Sequence, residues 1–186
     1  MSFLLSRKSI VPQWMVEPAP SKDDIDYLLQ AAVRAPDHGW LRPWRFLVVE
    51  GAARSKLSDL FVSALQKRNP DATEEQIEKE RSRPLFAPLV IVVCSVMTEE
   101  KPGVPKNERV LSAGAAAQNI LLAAHERGYG AIWLTGAAAY DPMVREGLEL
   151  DENTDIIGFL YIGSVEREVR ERARPDPADY TRHWGQ

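Results

Sequence analysis

Two prolines fix the first boundary in this chain. Residues 34 to 49 read Arg34-Ala-Pro-Asp-His-Gly-Trp-Leu-Arg-Pro-Trp-Arg-Phe-Leu-Val-Val49. Before them, Ile25, Leu28, Leu29 and Ala32 recur at helical spacing, and Pro36 biases Ala35 away from helical dihedrals, so the helix is expected to end there. After Pro43, Trp44 to Val49 is aromatic and β-branched and predicts a buried strand. The connecting loop carries one histidine, two arginines and two tryptophans, side chains that suit a binding loop held by a rigid scaffold. The competing reading has Trp40 and Trp44 plugging the end of a core, with Arg42 and Arg45 in water.

The rest of the chain alternates elements around that loop. Residues 2 to 8 predict a short helix, and prolines at 12, 18 and 20 keep the following segment extended. Ser21 is a plausible N-cap with Asp23 and Asp24 in the first turn, where the helix dipole favours acids. A helix over 52–67 presents Leu57, Leu60, Phe61 and Leu65 on one face. Residues 71–83, rich in Glu, Lys and Arg, predict a surface helix or a lid. Pro88 to Val96 reads as a fully buried strand, and 106–127 as the longest helix, with Val110, Ala113, Gly114, Ala117, Ile120, Leu121 and Ala124 on a face of small residues. That face is either a packing axis or a subunit interface. Gly128 is placed to end the helix. Strands over Tyr129 to Thr135 and Ile156 to Ile162 flank a short helix from Asp141 to Leu150, and the tail from Val165 to Gln186 ends near Tyr180 and Trp184.

Composition then excludes whole classes. At 186 residues and 45% hydrophobic, 1–186 reads as a single domain with a sizeable core. A net charge of −4 offers no basic field for nucleic acid, so any anion must be held by local arginines. Cys94, the one cysteine, sits inside an apolar run and reads as a buried small hydrophobe, consistent with a reducing, cytoplasmic setting. The first residues hold too few apolar side chains for a signal peptide, and no stretch is long enough to span a membrane. His38, His125 and His183 show no ligand spacing, so no metal site is expected. The Gly128-x-Gly130 pair precedes a strand and lacks the third glycine of a dinucleotide fingerprint, and neither a P-loop nor a nucleophile elbow is present.

Two segments suit a flat, phosphorylated cofactor. Arg7, Lys8 and Ser9 supply a guanidinium fork, an ammonium and a hydroxyl on one short turn; the alternative is a helix C-terminus whose basic residues complement its dipole. Gly128 and Gly130 would let a ring approach the backbone, with Trp133 and Thr135 walling it; the alternative is a helix cap followed by an ordinary strand.

The order of these segments resembles the nitroreductase family of FMN-dependent oxidoreductases, in particular its short, YdjA-like branch. The likeness rests on Arg7-Lys8-Ser9, on Ala35-Pro-Asp-His38 with Pro43-Trp44-x-Phe46, on Gly128-x-Gly130-x-x-Trp133, and on Ile156-Ile-Gly-Phe-Leu-Tyr-Ile-Gly163, and it covers essentially the whole chain. It implies an α+β fold with a mainly antiparallel four- or five-stranded sheet and an intertwined homodimer with FMN at the subunit interface. It also implies hydride transfer from NADPH or NADH through the flavin to a nitroaromatic, quinone or similar acceptor in two steps. By the same resemblance Arg7, Lys8 and Ser9 hold the FMN phosphate and ribityl chain, Trp133, Leu134 and Thr135 lie beside the flavin, and Arg34 and His38 come from the second subunit, with His38 a possible proton donor. Trp40 and Arg42 depart from the Asn and Gln of many relatives, and Arg174 is the candidate for a C-terminal phosphate contact. A flavin-binding store or redox sensor without turnover is the alternative function.

Overall fold

The computed structural model describes residues 3–97, 103–171 and 173–185. Four antiparallel strands form one sheet in the order β1-β2-β4-β3, where β1 is Trp44–Glu50, β2 Leu89–Val96, β3 Gly130–Leu134 and β4 Thr154–Gly163. Helices cover both faces. On one lie α2 (Lys22–Ala32) and α5 (Lys106–Glu126); on the other lie α3 (Ala53–Arg68) and α6 (Pro142–Gly147), with α4 (Glu74–Ser82) packed on α3 and α1 (Phe3–Ser6) at the chain start.

This layering explains why β2 reads as one continuous apolar run. Leu89, Ile91 and Val93 join the α2/α5 core, while Val90, Val92 and Cys94 join the α3/α6 core, and each is 0% exposed. An antiparallel strand usually shows one wet face; here both are covered, as in a parallel sheet. Each such side chain contributes about 1.5–3 kcal/mol by burial. Burial also pushes the Cys94 thiol up to about 12, so it behaves as the hydrophobe expected of it.

Several boundaries move, each for a local reason. Helix α2 stops at Ala32 rather than at Pro36, because Arg34 and Ala35 donate to Ala31 and Ala32 in tight turns instead of continuing the helix. Its start is as expected: Ser21 and Asp24 form a reciprocal capping box. Helix α1 ends at Ser6, leaving Arg7, Lys8 and Ser9 outside it. Strand β1 is an edge strand, pairing only with β2, and only Val49 on it is buried. Residues 71–83 contain the expected surface helix, docked on α3. Thr73 and Gln76 form a second capping box, and Ser58 Oγ and Arg81 O join α3 to α4 by a hydrogen bond at 2.5 Å.

The glycines after α5 also resolve. Gly128, with φ +82, lies just beyond the helix C-cap, and its N–H reaches His125 O at 3.1 Å. Gly130 is needed for packing: a Cβ there would overlap Val165 and come 3.1 Å from Ile10 Cγ1. The helix cap and strand start are thus both present, and at Gly130 the space beside the backbone is taken by Val165 and Ile10. The small-residue face of α5 is likewise mostly used within the chain, with Ala113, Ala117, Ile120 and Ala124 fully buried in the α2/α5 core.

Candidate active site

The N-terminal turn reaches the sheet through its backbone. Ser9 bridges Ala131 in parallel, and Ile10 N–H donates to Ala131 O at 3.1 Å. A rudimentary fifth strand thus lies on the free edge of β3 and brings Arg7, Lys8 and Ser9 beside the strand that leads to Trp133, Leu134 and Thr135. The Arg7 guanidinium is half-buried and has no partner among the described residues. Lys8 Nζ donates to Val169 O, which leaves two of its three donors. Arg174 Nη2 donates to Arg7 O at 3.0 Å, so the C-terminal segment folds back over this turn.

At the end of β3 the side chains alternate between two clefts. Leu134, Thr135 and Gly136 wall a cleft of about 500 Å³ on the α3 side, together with Gln13, Lys79 and Arg83. Trp133 points the other way. Its indole N–H donates to Ile157 O at 3.2 Å, and it lines a larger cleft of about 750 Å³ with Val110, Leu111, Gly114 and Ala115 of α5. Thr135 borders both clefts.

The smaller cleft has the features a planar phosphorylated ligand needs. Gly136 has φ +73, a backbone that favours glycine, and a Cβ there would come 3.1 Å from Arg83 Nη1. The backbone is therefore bare where the guanidinium approaches it. Arg83 is held by Glu80 at 3.3 Å, and Lys79 stands on the same helix without a partner among the described residues. Two cations, an amide and exposed backbone beside an apolar floor form the donor set for a charged, flat ligand. Tyr161 in that floor is 3% exposed, and burial pushes its hydroxyl up to about 12, with Arg83 working against the shift.

Arg34 and His38 lie elsewhere, on the rim of α5. Arg34 is exposed and without a partner among the described residues, and His38 pairs through Nδ1 with Glu108. Within one chain they do not join the residues of β3. Gln13, Lys79, Arg83 and Gly136 are the additions that sequence reading missed. For Lys79, only the Thr73-x-x-Gln76 capping signature hinted that its helix was a fixed part of the fold.

The antiparallel sheet, its two helical layers and the basic turn on its open edge define an α+β protein of the nitroreductase-like class. The chain belongs to the Nitroreductase family, which matches residues 4–164. It is 34% identical to the Escherichia coli K12 protein named "Putative NAD(P)H nitroreductase YdjA" over 185 residues, 99% of this chain and 98% of the relative. Its fold superposes on a nitroreductase-like family protein from Bacillus cereus with TM-score 0.83 and 28% identity, covering 99% of this chain and 95% of the other. It also matches a Clostridium difficile protein described as an FMN-dependent nitroreductase, at TM-score 0.69 and 26% identity over 99% of this chain and 98% of that one. Among the described residues no helix is long and apolar enough to cross a membrane, and no cluster of metal-ligating side chains occurs.

Proposed function

We propose that this protein is an FMN-dependent oxidoreductase that takes reducing equivalents from NADH or NADPH and delivers them to a nitroaromatic, quinone or similar acceptor in two half-reactions. The observation that carries the reading is the pairing of Ser9 with Ala131, which lays an unpartnered arginine alongside the strand whose end walls the smaller cleft. Arg7, Lys8 and Ser9 bind the phosphate and ribityl hydroxyls; Leu134, Thr135 and Gly136 flank the ring with backbone, and Arg83 and Lys79 offset negative charge on it. Trp133 acts from behind β3, fixing the strand through Ile157. When bound, FMN supplies the hydride-accepting and hydride-donating chemistry, and the chain supplies binding, orientation and electrostatics.

The active unit in this reading is a homodimer. Val110, Leu111, Gly114 and Ala115 leave an apolar opening on α5, while Trp40 and Trp184 stand 81% and 94% exposed. Two-fold packing covers such surfaces in pairs and carries Arg34 and His38 to the neighbour's cofactor. His38 is then available to hold or pass a proton there.

The test is direct. Purified protein is expected to be yellow, to release FMN on denaturation, and to bleach within seconds on anaerobic mixing with NADPH or NADH. A yellow protein that does not bleach is a flavin binder without turnover. A colourless protein that takes up no FMN on reconstitution removes the reading altogether.

A further inference from the structure

Helix α5 holds the segment after α2 through a stripe of three polar side chains. Asn119 Nδ2 donates to Ala31 O at 3.0 Å, Ser112 Oγ donates to Pro36 O at 2.7 Å, and the Glu108 carboxylate pairs with His38 Nδ1. Positions 108, 112 and 119 fall on one face of the helix. The loop beyond is tied to itself as well: Asp37 Oδ2 accepts the Arg42 N–H at 2.8 Å, and Arg45 Nη1 donates to Arg42 O and Trp44 O at 2.9 and 2.8 Å. These bonds hold Trp40 and Arg42 at φ +60 and +48, where side-chain-bearing residues rarely sit.

Asn119 meets the Ala31 carbonyl in the last turn of α2, and Ser112 satisfies the Pro36 carbonyl in the loop beyond it. The third has no such purpose. His38 is 62% exposed in its side chain and would be satisfied by water, yet Glu108 fixes the ring. An ionised carboxylate has only acceptor sites, so Nδ1 carries a hydrogen in both the neutral and the charged imidazole. Nε2 is then the ring nitrogen left for another partner.

We propose that Glu108 is a positioning residue that locks His38 in its Nδ1–H form and leaves Nε2 as the nitrogen that serves the neighbouring subunit's cofactor site. The inference rests on the reading above that His38 closes that site. Ser112 and Asn119 set the height of the loop on α5, and Glu108 sets the rotation and tautomer of the one titratable ring on it. In the neutral ring Nε2 is an acceptor; in the charged ring it is a donor.

The experiment uses FMN-loaded full-length protein and reads the tautomer and the activity separately. Histidine ring nitrogens are observed by two-bond nitrogen–proton correlation, with His38 assigned by its disappearance in His38→Gln. At a pH where the ring is neutral, wild type is expected to show a protonated Nδ1 and a bare Nε2. Glu108→Leu is expected to move the ring toward the Nε2–H form that free imidazole side chains favour in water, and to lower kcat/KM for a nitroaromatic acceptor about fivefold, the factor to which an exposed ion pair of ordinary strength corresponds. Glu108→Gln keeps an acceptor oxygen and is expected to restore both the tautomer and most of the activity. In a His38→Gln background, Glu108→Leu is expected to add no further loss.

An unchanged tautomer in Glu108→Leu, a changed tautomer with unchanged kcat/KM, or a Glu108→Gln protein as impaired as Glu108→Leu each overturns the proposal. Failure of the underlying reading looks different: His38→Gln would then leave FMN affinity and kcat/KM untouched while the wild-type spectrum still shows the Nδ1–H ring, and the lock would have no catalytic purpose.

Discussion

The two clefts on either side of β3 differ in size, chemistry and ownership. The larger, about 750 Å³, is floored by the Val110, Leu111, Gly114 and Ala115 face of α5 and by Trp133; the smaller, about 500 Å³, has Lys79, Arg83 and Gln13 around Leu134, Thr135 and Gly136. Size alone would favour the larger as the ligand site. Chemistry favours the smaller, because it collects Lys79 and Arg83 beside the bare backbone of Gly136 and is lined by Pro12 and Gln13 of the segment that follows the Arg7–Ser9 turn, whereas the larger joins the exposed apolar face of α5 to Asp141, Arg145 and Asp155. In the proposed reading one strand serves two purposes through the alternation of its side chains: Trp133 toward a subunit contact and Leu134 toward a cofactor.

The largest effect that tests this division is expected on the α5 side. Leu111 is 66% exposed in the single chain, and Leu111→Asp places a charge in each copy of the contact. Losing two buried leucines at about 2 kcal/mol each weakens the dimer by about 4 kcal/mol, roughly a thousandfold in its dissociation constant. Light scattering at micromolar concentration checks it. A dimer that survives Leu111→Asp would return the larger cleft to the list of small-molecule sites.

Gly158→Ala comes next. A Cβ at Gly158 would overlap the Trp133 indole and come 2.9 Å from Leu134 O, so it presses on the Trp133 side chain and on the backbone of β3 at once. Overpacking together with loss of the Trp133–Ile157 hydrogen bond is expected to cost about 3 kcal/mol in urea unfolding. Loss of both dimer and FMN in this variant, against loss of one in the variants before and after it, is the pattern a shared strand predicts.

Arg7→Ala is expected to leave the fold and the α5 contact intact and to weaken FMN by about 2 kcal/mol, some thirtyfold, since a hydrogen bond to a charged group is worth that much. Flavin fluorescence titration reads it. Co-refolding Arg7→Ala with Arg34→Ala should recover part of the lost activity, because some heterodimers carry one site with both arginines. Unchanged FMN affinity in Arg7→Ala would put the phosphate elsewhere.

The same two regions show what the sequence carries and what it hides. Strand β2 and the core face of α5 were legible because their apolar patterns report their own burial, and Ser21 because a cap is a local bond. Arg7, Lys8 and Ser9 were legible as a donor cluster, and their company with β3 only through the family likeness, since the Ser9–Ala131 pairing joins residues far apart in the chain. Arg83 and Lys79 were hidden in a charge run that looks like any solvated helix; only their position against Gly136 and Leu134 distinguishes them. Trp133 was placed beside the flavin by resemblance, but nothing local tells which face of an edge strand a tryptophan takes. The apolar stripe of α5 read as either a packing axis or a subunit interface, because sequence cannot show that α2 and the sheet already use most of it.

The smallest effect tests the smaller cleft most sharply. Arg83 is one-third exposed, and its guanidinium pairs with Glu80 at 3.3 Å in the space that a Cβ at Gly136 would crowd. Because Glu80 already neutralises part of its charge and water screens the rest, Arg83→Met is expected to weaken FMN by only about 1 kcal/mol, roughly fivefold, and less at high salt. The substitution also strands the Glu80 carboxylate, which has 13% side-chain exposure, so a stability loss of similar size is expected in the same protein. Glu80→Gln separates the two effects. Removing the acid frees the guanidinium without deleting it, so Glu80→Gln should hold FMN at least as tightly as wild type, while Arg83→Met holds it less tightly. If Arg83 serves only to balance Glu80, both variants will lose stability and neither will change FMN affinity, and the cofactor will have to be sought on the Trp133 side of the strand.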